Sequence, residues 1–440
     1  MKVNAHYQSA RRVLPGGVSA TARANPALGH PLYISRGEGA RVYDLDGQDY
    51  VDMCVSHGAS LLGHNHPAIT AAVAKALDMG IICAYENEHQ AQLAETLTEV
   101  IPCAEMVRFA GTGTETVMHA LRLARTATGR RTIIKFEGHF NGYSDALNYS
   151  VAPPLDQAGP AERPRPYPES AGMAEDPTPE LVILPFNDAD ALTTAFAERG
   201  DEVAALFMEP INYDSGTIPP EPGFVELCRR LCDQHGALLF FDEVLTAFRM
   251  ALGGAQGHLG VTPDLCVLGK AIGGGMPLSA LVGTRAVMSH LRPVGESEMS
   301  GTYLAHSTSV LAAQAAVEQY RAPEFYSQLT ARGARFYADF QSLIDASDVP
   351  VRLQHVGARF GLYFGRTEPV RNYRDAAQQD PAMLATFVAG CIRRGVYVHP
   401  AAHHGFSSVH TDADFDRVLT AIDGALRDVA DTHMLKGASR

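Results

Sequence analysis

Asp264-Leu265-Cys266-Val267-Leu268-Gly269-Lys270-Ala271-Ile272-Gly273-Gly274-Gly275-Met276-Pro277 holds one lysine between an apolar run and a glycine-rich exit. The apolar residues predict a buried strand, and the glycines predict a tight turn directly after it. Upstream, Ala237-Leu238-Leu239-Phe240-Phe241-Asp242-Glu243-Val244 repeats the pattern with an aspartate at the strand end. A strand-end aspartate followed by a strand-end lysine is what pyridoxal phosphate chemistry needs. The lysine forms the Schiff base, and the aspartate keeps the pyridine nitrogen protonated so that the ring accepts carbanion electrons. The ordinary alternative for Lys270 is a surface lysine beside a glycine turn. The apolar approach, the glycine exit and Asp242 upstream argue against it.

Outward from these two strands, apolar strand candidates recur at 105–109, 132–136, 203–208 and 279–283, beside 237–242 and 264–268. Helical runs lie between them, including 114–126 and 223–235. Alternation of this kind predicts an α/β fold with a mainly parallel sheet covered on both faces. Residues 37–52 alternate apolar and polar around Asp46-Gly47, which is a hairpin signal. The stretch 151–180 carries eight prolines and reads as a long loop inside the large domain. Beyond 325, helices mix with weaker strands such as 357–364, and a final helix covers 412–433. The expected division is an N-terminal arm with part of the small domain at 1–67, a large cofactor-binding domain at 68–325, and a small α+β domain at 326–440.

The 440 residues include 36 Lys or Arg against 49 Asp or Glu, a net charge of −13. That balance argues against nucleic acid and anionic membrane surfaces as partners. No apolar run reaches the length of a membrane helix, and Met1–Tyr7 lacks the apolar core of a secretory signal. Seven cysteines without a CxxC pair read as free buried thiols in a reducing compartment. Cys228 and Cys232, one helical turn apart, read as core packing. A soluble, cytoplasmic protein is expected.

Three further motifs flank the two strands. Val107-Arg108-Phe109-Ala110-Gly111-Thr112-Gly113-Thr114-Glu115-Thr116 is a strand, a tight turn and a helix start. Such a helix N-terminus offers free N–H groups to a phosphate, although Thr112 and Glu115 also match a plain capping box. Glu137-Gly138-His139-Phe140-Asn141-Gly142 follows the strand at 132–136, and Glu209-Pro210 follows the strand at 203–208.

In this order, the motifs resemble the class III aminotransferases, and within them the glutamate-1-semialdehyde aminomutase branch, over nearly the whole chain. The resemblance implies the fold-type I pyridoxal phosphate architecture, with a mostly parallel seven-stranded-type sheet and a small terminal domain. It places Thr112, Gly113 and Thr114 in the phosphate loop, with threonine where the family keeps serine. Phe140 stacks on one face of the pyridine and Val244 packs on the other. Asn141 stands where the family has histidine, and Glu209 is a group close behind the cofactor. Gly301-Thr302 resembles the pair whose threonine reaches the phosphate of the neighbouring subunit, implying a homodimer with shared active sites. The following Tyr303-Leu304-Ala305-His306-Ser307 departs from the family's Asn-Pro. The loop 151–180 matches a mobile gate.

On the substrate side, Pro15-Gly16-Gly17-Val18-Ser19-Ala20-Thr21-Ala22-Arg23 resembles the segment whose arginine binds the substrate carboxylate. His57 replaces the branch's common tryptophan, and His403 replaces a glutamate that faces the substrate. The spacings of His399, His403, His404 and His410 fit no familiar metal-ligand set. The function implied is transfer of an amino group from an α- or β-amino acid to a keto acid, with Lys270 as the base. Glutamate-1-semialdehyde-type isomerisation is the alternative, from which His57, His403, Asn141 and residues 303–307 depart. A non-catalytic binding protein is opposed by the retention of Lys270 and Asp242.

Overall fold

The computed structural model describes residues 2–177, 180–401 and 404–434. They fall into two compact units, one of residues 67–326 and 370–377, the other drawn from 1–66, 327–369 and 378–440. The segment 370–377, expected in the C-terminal domain, thus belongs with the larger unit. The reason is visible at Arg374, whose guanidinium pairs with Glu137 through Nε–Oε2 at 2.8 Å and Nη2–Oε1 at 3.1 Å.

The larger unit is built on β1 (Met106–Ala110), β2 (Thr132–Phe136), β3 (Leu181–Leu184), β4 (Val203–Met208), β5 (Leu238–Glu243), β6 (Leu265–Leu268) and β7 (Ser279–Gly283). Their spatial order is β1-β7-β6-β5-β4-β2-β3. β7 is antiparallel to β1 and β6, and the remaining pairs are parallel. All six residues of β4 are buried, which is why the strand is apolar without alternation. β3 was not among the expected strands. It is a four-residue apolar run at the sheet edge, too short for its periodicity to be distinctive.

Because β1, β2, β4, β5 and β6 all run one way, their carboxyl ends emerge along one edge of the sheet. That edge is where open α/β sheets place ligands. The edge collects the start of α1 (Gly113–Thr128), Glu137, Glu209, Asp242 and Lys270. α2 (Phe224–His235) shows the helical logic of the layers. It buries Phe224, Val225, Cys228, Leu231 and Cys232 on one stripe and stops at Gly236, whose φ is +63°.

The proline-rich loop is described through residue 177 and is folded onto its own unit. Ser150 N donates to Tyr167 O at 2.8 Å, and Glu169 Oε1 accepts from Val151 N and Ala152 N at 2.7 and 2.8 Å. Arg374 also donates to the carbonyls of Gly159 and Ala158, and Tyr373 Oη donates to Pro153 O.

In the smaller unit, strands Ile34–Glu38, Arg41–Asp44 and Asp49–Asp52 form an antiparallel set, joined in parallel by Val396–Tyr397. Gly47, with φ +89°, makes the anticipated turn. A second sheet holds Val351–Val356, Arg359–Phe364 and His404–Gly405. Helices α3 (Pro381–Arg393) and α4 (Asp412–Val429) belong here, and α4 ends four residues before the expected 433, in a wider turn over Ala430–Met434. Among the described residues, no helix is long and apolar enough to cross a membrane. Nor do three or more His, Cys, Asp or Glu side chains gather there as a metal site.

Candidate active site

Gly269 leaves β6 in extended backbone, and Lys270 follows with φ +47°, a left-handed conformation unusual for a lysine. Its neighbours hold this turn. Tyr320 Oη donates to Ala271 O at 2.8 Å, and Ser279 Oγ donates to Leu268 O at 2.7 Å. The turn sets Lys270 in a cavity lined also by Asp242, Phe140, Val244, Glu209 and Asp214. Gly113 and Thr114 at the start of α1 complete the same wall.

Asp242 is buried at the end of β5. Its Oδ2 accepts from Asn141 Nδ2 at 2.9 Å and its Oδ1 from Val244 N at 3.2 Å. Burial raises its pKa, while those two hydrogen bonds and the charges of Lys270 and Lys135 pull it back down. Next to it, Glu243 is buried and bonds Thr246, Ala255 and Gln256, fixing the turn that follows the strand.

The segment after β2 carries Phe140 and Asn141 and is fastened from several sides. Lys135, fully buried, donates from Nζ to the carbonyls of His139, Leu147 and Tyr149 at 3.0, 3.0 and 2.8 Å. Burial lowers its pKa to about 8. Glu209 Oε1 accepts from Phe140 N at 2.9 Å and Oε2 from Tyr213 N at 3.1 Å. His139 Nδ1 accepts from Glu209 N at 3.0 Å, and burial with the nearby Lys135 charge keeps that imidazole neutral. The Glu209 carboxyl itself is pushed well up by burial and by the charges of Asp214 and Asp242.

At the phosphate loop, Thr112 caps α1 by accepting from Glu115 N at 3.2 Å. Glu115 Oε2 reaches back to Gly111 N at 2.9 Å rather than to Thr112 N, so the expected capping box is offset by one residue. The glycines here are there for space. A Cβ on Gly113 would lie 2.8 Å from Val244 Cγ2, and one on Gly142 would lie 2.9 Å from Thr114 Cα.

The remaining expected residues lie elsewhere. Thr302 is exposed in the larger unit. Arg23 and His57 belong to the smaller unit, where Arg23 Nη1 donates to Ser19 Oγ at 2.6 Å. His57 is the third of four consecutive residues with positive φ, Val55, Ser56, His57 and Gly58, at +45°, +55°, +53° and +91°. Asp52 Oδ1 pins that run by accepting from Cys54 N and Val55 N at 2.9 and 3.1 Å. His403 lies outside the described residues. Lys135, His139 and Asp214 were not singled out from the sequence. Only Lys135 left a trace there, a lysine inside the apolar strand Thr-Ile-Ile-Lys-Phe.

The residues of the cavity fit pyridoxal phosphate. An amine and a buried carboxylate share it with two apolar walls, a glycine cradle adjoins a helix N-terminus, and the buried Asn141 Oδ1 has no protein partner. The model of the Aminotransferase class-III family matches residues 22–413. Over 426 residues the chain is 38% identical to glutamate-1-semialdehyde 2,1-aminomutase of Roseiflexus castenholzii (strain DSM 13941 / HLO8), covering 96% of each. An omega-transaminase from Sphaerobacter thermophilus superposes with a TM-score of 0.90 at 32% identity, over 97% of each chain. A β-phenylalanine aminotransferase from Variovorax paradoxus gives 0.86 at 30%, over 98% of this chain and 95% of its own. With a match of this extent, and with residues suited to the cofactor, the chain belongs to the class III aminotransferases, enzymes dependent on pyridoxal phosphate.

Proposed function

We propose that this chain is an aminotransferase that takes the amino group of a carboxylate-bearing α- or β-amino acid and passes it to a keto acid, working as a homodimer. The observation that carries the reading is the single cavity lined by Lys270, Asp242, Phe140 and Val244. Bound pyridoxal phosphate supplies the electron sink that lets a proton leave the carbon bearing the amino group. Lys270 is the covalent anchor. Once freed, its Nζ would take the proton from the substrate carbon and give it back to complete the transfer. Asp242, oriented by Asn141 and Val244 N, holds a proton at the ring nitrogen as an ionised partner. Phe140 and Val244 hold the ring between them, and Thr112, Gly113 and Thr114 offer the phosphate a helix N-terminus. Glu209 fixes the backbone of Phe140. Thr302 completes the phosphate site of the partner subunit. Arg23 takes the substrate carboxylate, with His57 and His403 shaping recognition around it. The likeness to a β-phenylalanine aminotransferase and to an omega-transaminase supports transfer to an external acceptor.

A second reading, an aminomutase that moves an amino group within one molecule, is favoured by the 38% identity to a glutamate-1-semialdehyde 2,1-aminomutase. A half-reaction separates them. The cofactor-loaded protein is mixed with L-, D- and β-amino acids, and separately with an amino acid that carries its own aldehyde, in the absence of any other acceptor. Transfer releases one equivalent of keto acid per bound cofactor and leaves the cofactor aminated. Many turnovers of isomerised product with no keto acid would establish the mutase instead. Lys270→Ala should slow either reaction by at least about a hundredfold, and unchanged turnover in that variant would refute the role given to Lys270.

A further inference from the structure

His399 lies in the smaller unit and is only 3% exposed. Its Nδ1 accepts from Ala401 N at 3.1 Å, and its Nε2 lies 3.1 Å from Ala22 O. A backbone N–H only donates, so Nδ1 is the acceptor nitrogen and the ring proton sits on Nε2, directed at Ala22 O. Ala22 is the middle residue of the turn Thr21–Arg23, and its carbonyl belongs to the peptide that enters Arg23. All three residues of that turn are exposed, and the turn is closed by Ala24 N to Thr21 O at 3.0 Å. The bond from His399 is therefore a buried anchor for an otherwise exposed turn. The same ring meets His57 edge to face, with centroids 4.5 Å apart and planes at 69°. One buried imidazole thus touches the segment carrying Arg23 and the side chain of His57.

We propose that His399 is a positioning residue for substrate recognition, fixing Arg23 through the Ala22 carbonyl and bracing His57, so that the guanidinium is set to receive the substrate carboxylate. The inference rests on the reading of Arg23 as the carboxylate's partner. Burial, with the Arg359 charge, lowers the proton affinity of His399, which keeps Nδ1 open to Ala401 N at neutral pH.

The test compares two oxyamines on the cofactor-loaded protein, followed by the absorbance change as each captures the cofactor. Aminooxyacetate carries a carboxylate; methoxyamine is the same oxyamine without one. The ratio of their rates measures carboxylate recognition without knowledge of the natural substrate. Wild type should prefer aminooxyacetate, and Arg23→Ala should erase the preference. His399→Phe keeps a ring against His57 but removes the donor. It should cut the ratio about tenfold, the scale of one lost hydrogen bond that positions a charged group, and should add nothing in the Arg23→Ala background. His399→Gln, which retains a donor, should recover part of the ratio. A wild-type ratio in His399→Phe beside a lost one in Arg23→Ala would overturn the role of His399 and leave Arg23 standing. So would an equal loss on both backgrounds. A preference that survives Arg23→Ala, or none in wild type, would overturn the reading of Arg23 and this inference with it.

Discussion

Three carboxyl groups, Glu209, Asp214 and Asp242, share the cavity of Lys270, and like charges so close do not all ionise cheaply. Asp242 has its own donors in Asn141 and Val244 N, so it is the one best supported as an anion. Asp214 is half-buried by exposed area yet closely surrounded by protein. Burial pushes its carboxyl up to about 6, with the charges of Lys270 and Lys135 opposing and those of Asp242 and Glu169 adding to the rise. The folded state therefore holds this proton more tightly than the unfolded chain. The cost of ionising Asp214 appears as pH rises from the ordinary 3.8 to about 6, and it persists above. Asp214→Asn should stabilise the cofactor-free protein at pH 7 by roughly 1 to 3 kcal/mol. That gain should vanish near pH 4. Denaturant melts across this range check it, and a gain that grows toward acid would refute the assignment. Lys270 and Asp242 were legible because each closes an apolar run at a strand end. Asp214 was not, because nothing in a loop aspartate's neighbours along the chain reports what the fold brings around it.

At the scale of elements, the segment between β2 and the proline-rich loop carries Phe140 and Asn141 without helix or strand and is fastened from several sides. Lys135 uses its three ammonium protons on the carbonyls of His139, Leu147 and Tyr149. Glu209 and Asp242 take the backbone of Phe140 and the amide of Asn141. Lys135→Met should leave three carbonyls without their donor. It should destabilise the cofactor-free protein by about 2 kcal/mol and speed amide exchange over 139–149 more than in β4 and β5. Uniform acceleration across the sheet, or none in that segment, would count against the fastening role. The strands of the larger unit were readable from apolar runs, apart from β3, whose four residues abut the proline-rich loop. The clasp by Tyr373 and Arg374 was not readable, since it joins residues more than 200 positions apart in the chain.

Over the whole molecule, the larger unit leaves large apolar side chains exposed, with Ile81 at 68%, Tyr85 at 77%, Tyr303 at 71% and Val294 at 77%. Single exposed hydrophobes need no explanation, but grouped ones mark interfaces. Tyr85 lines one cleft with Arg108, Pro293, Gly301 and Thr302, so the residue proposed to complete a partner's phosphate site shares that cleft with an exposed aromatic side chain. On the proposed dimer the two facts have one cause: the surface that associates is the surface that delivers Thr302. Light scattering should then give twice the chain mass of 47.2 kDa. Placing carboxylates at two of these exposed side chains, Ile81→Asp and Tyr85→Asp together, should dissociate the dimer, because burying unpaired carboxylates at an interface is strongly disfavoured. Thr302→Ala should leave the dimer intact, yet both changes should weaken pyridoxal phosphate binding, the single substitution by about tenfold, as one hydrogen bond to a charged group implies. Equilibrium dialysis of the cofactor against each variant separates the possibilities. A monomer that binds it as tightly as wild type would show that each chain builds its site alone, and would detach Thr302 from the phosphate.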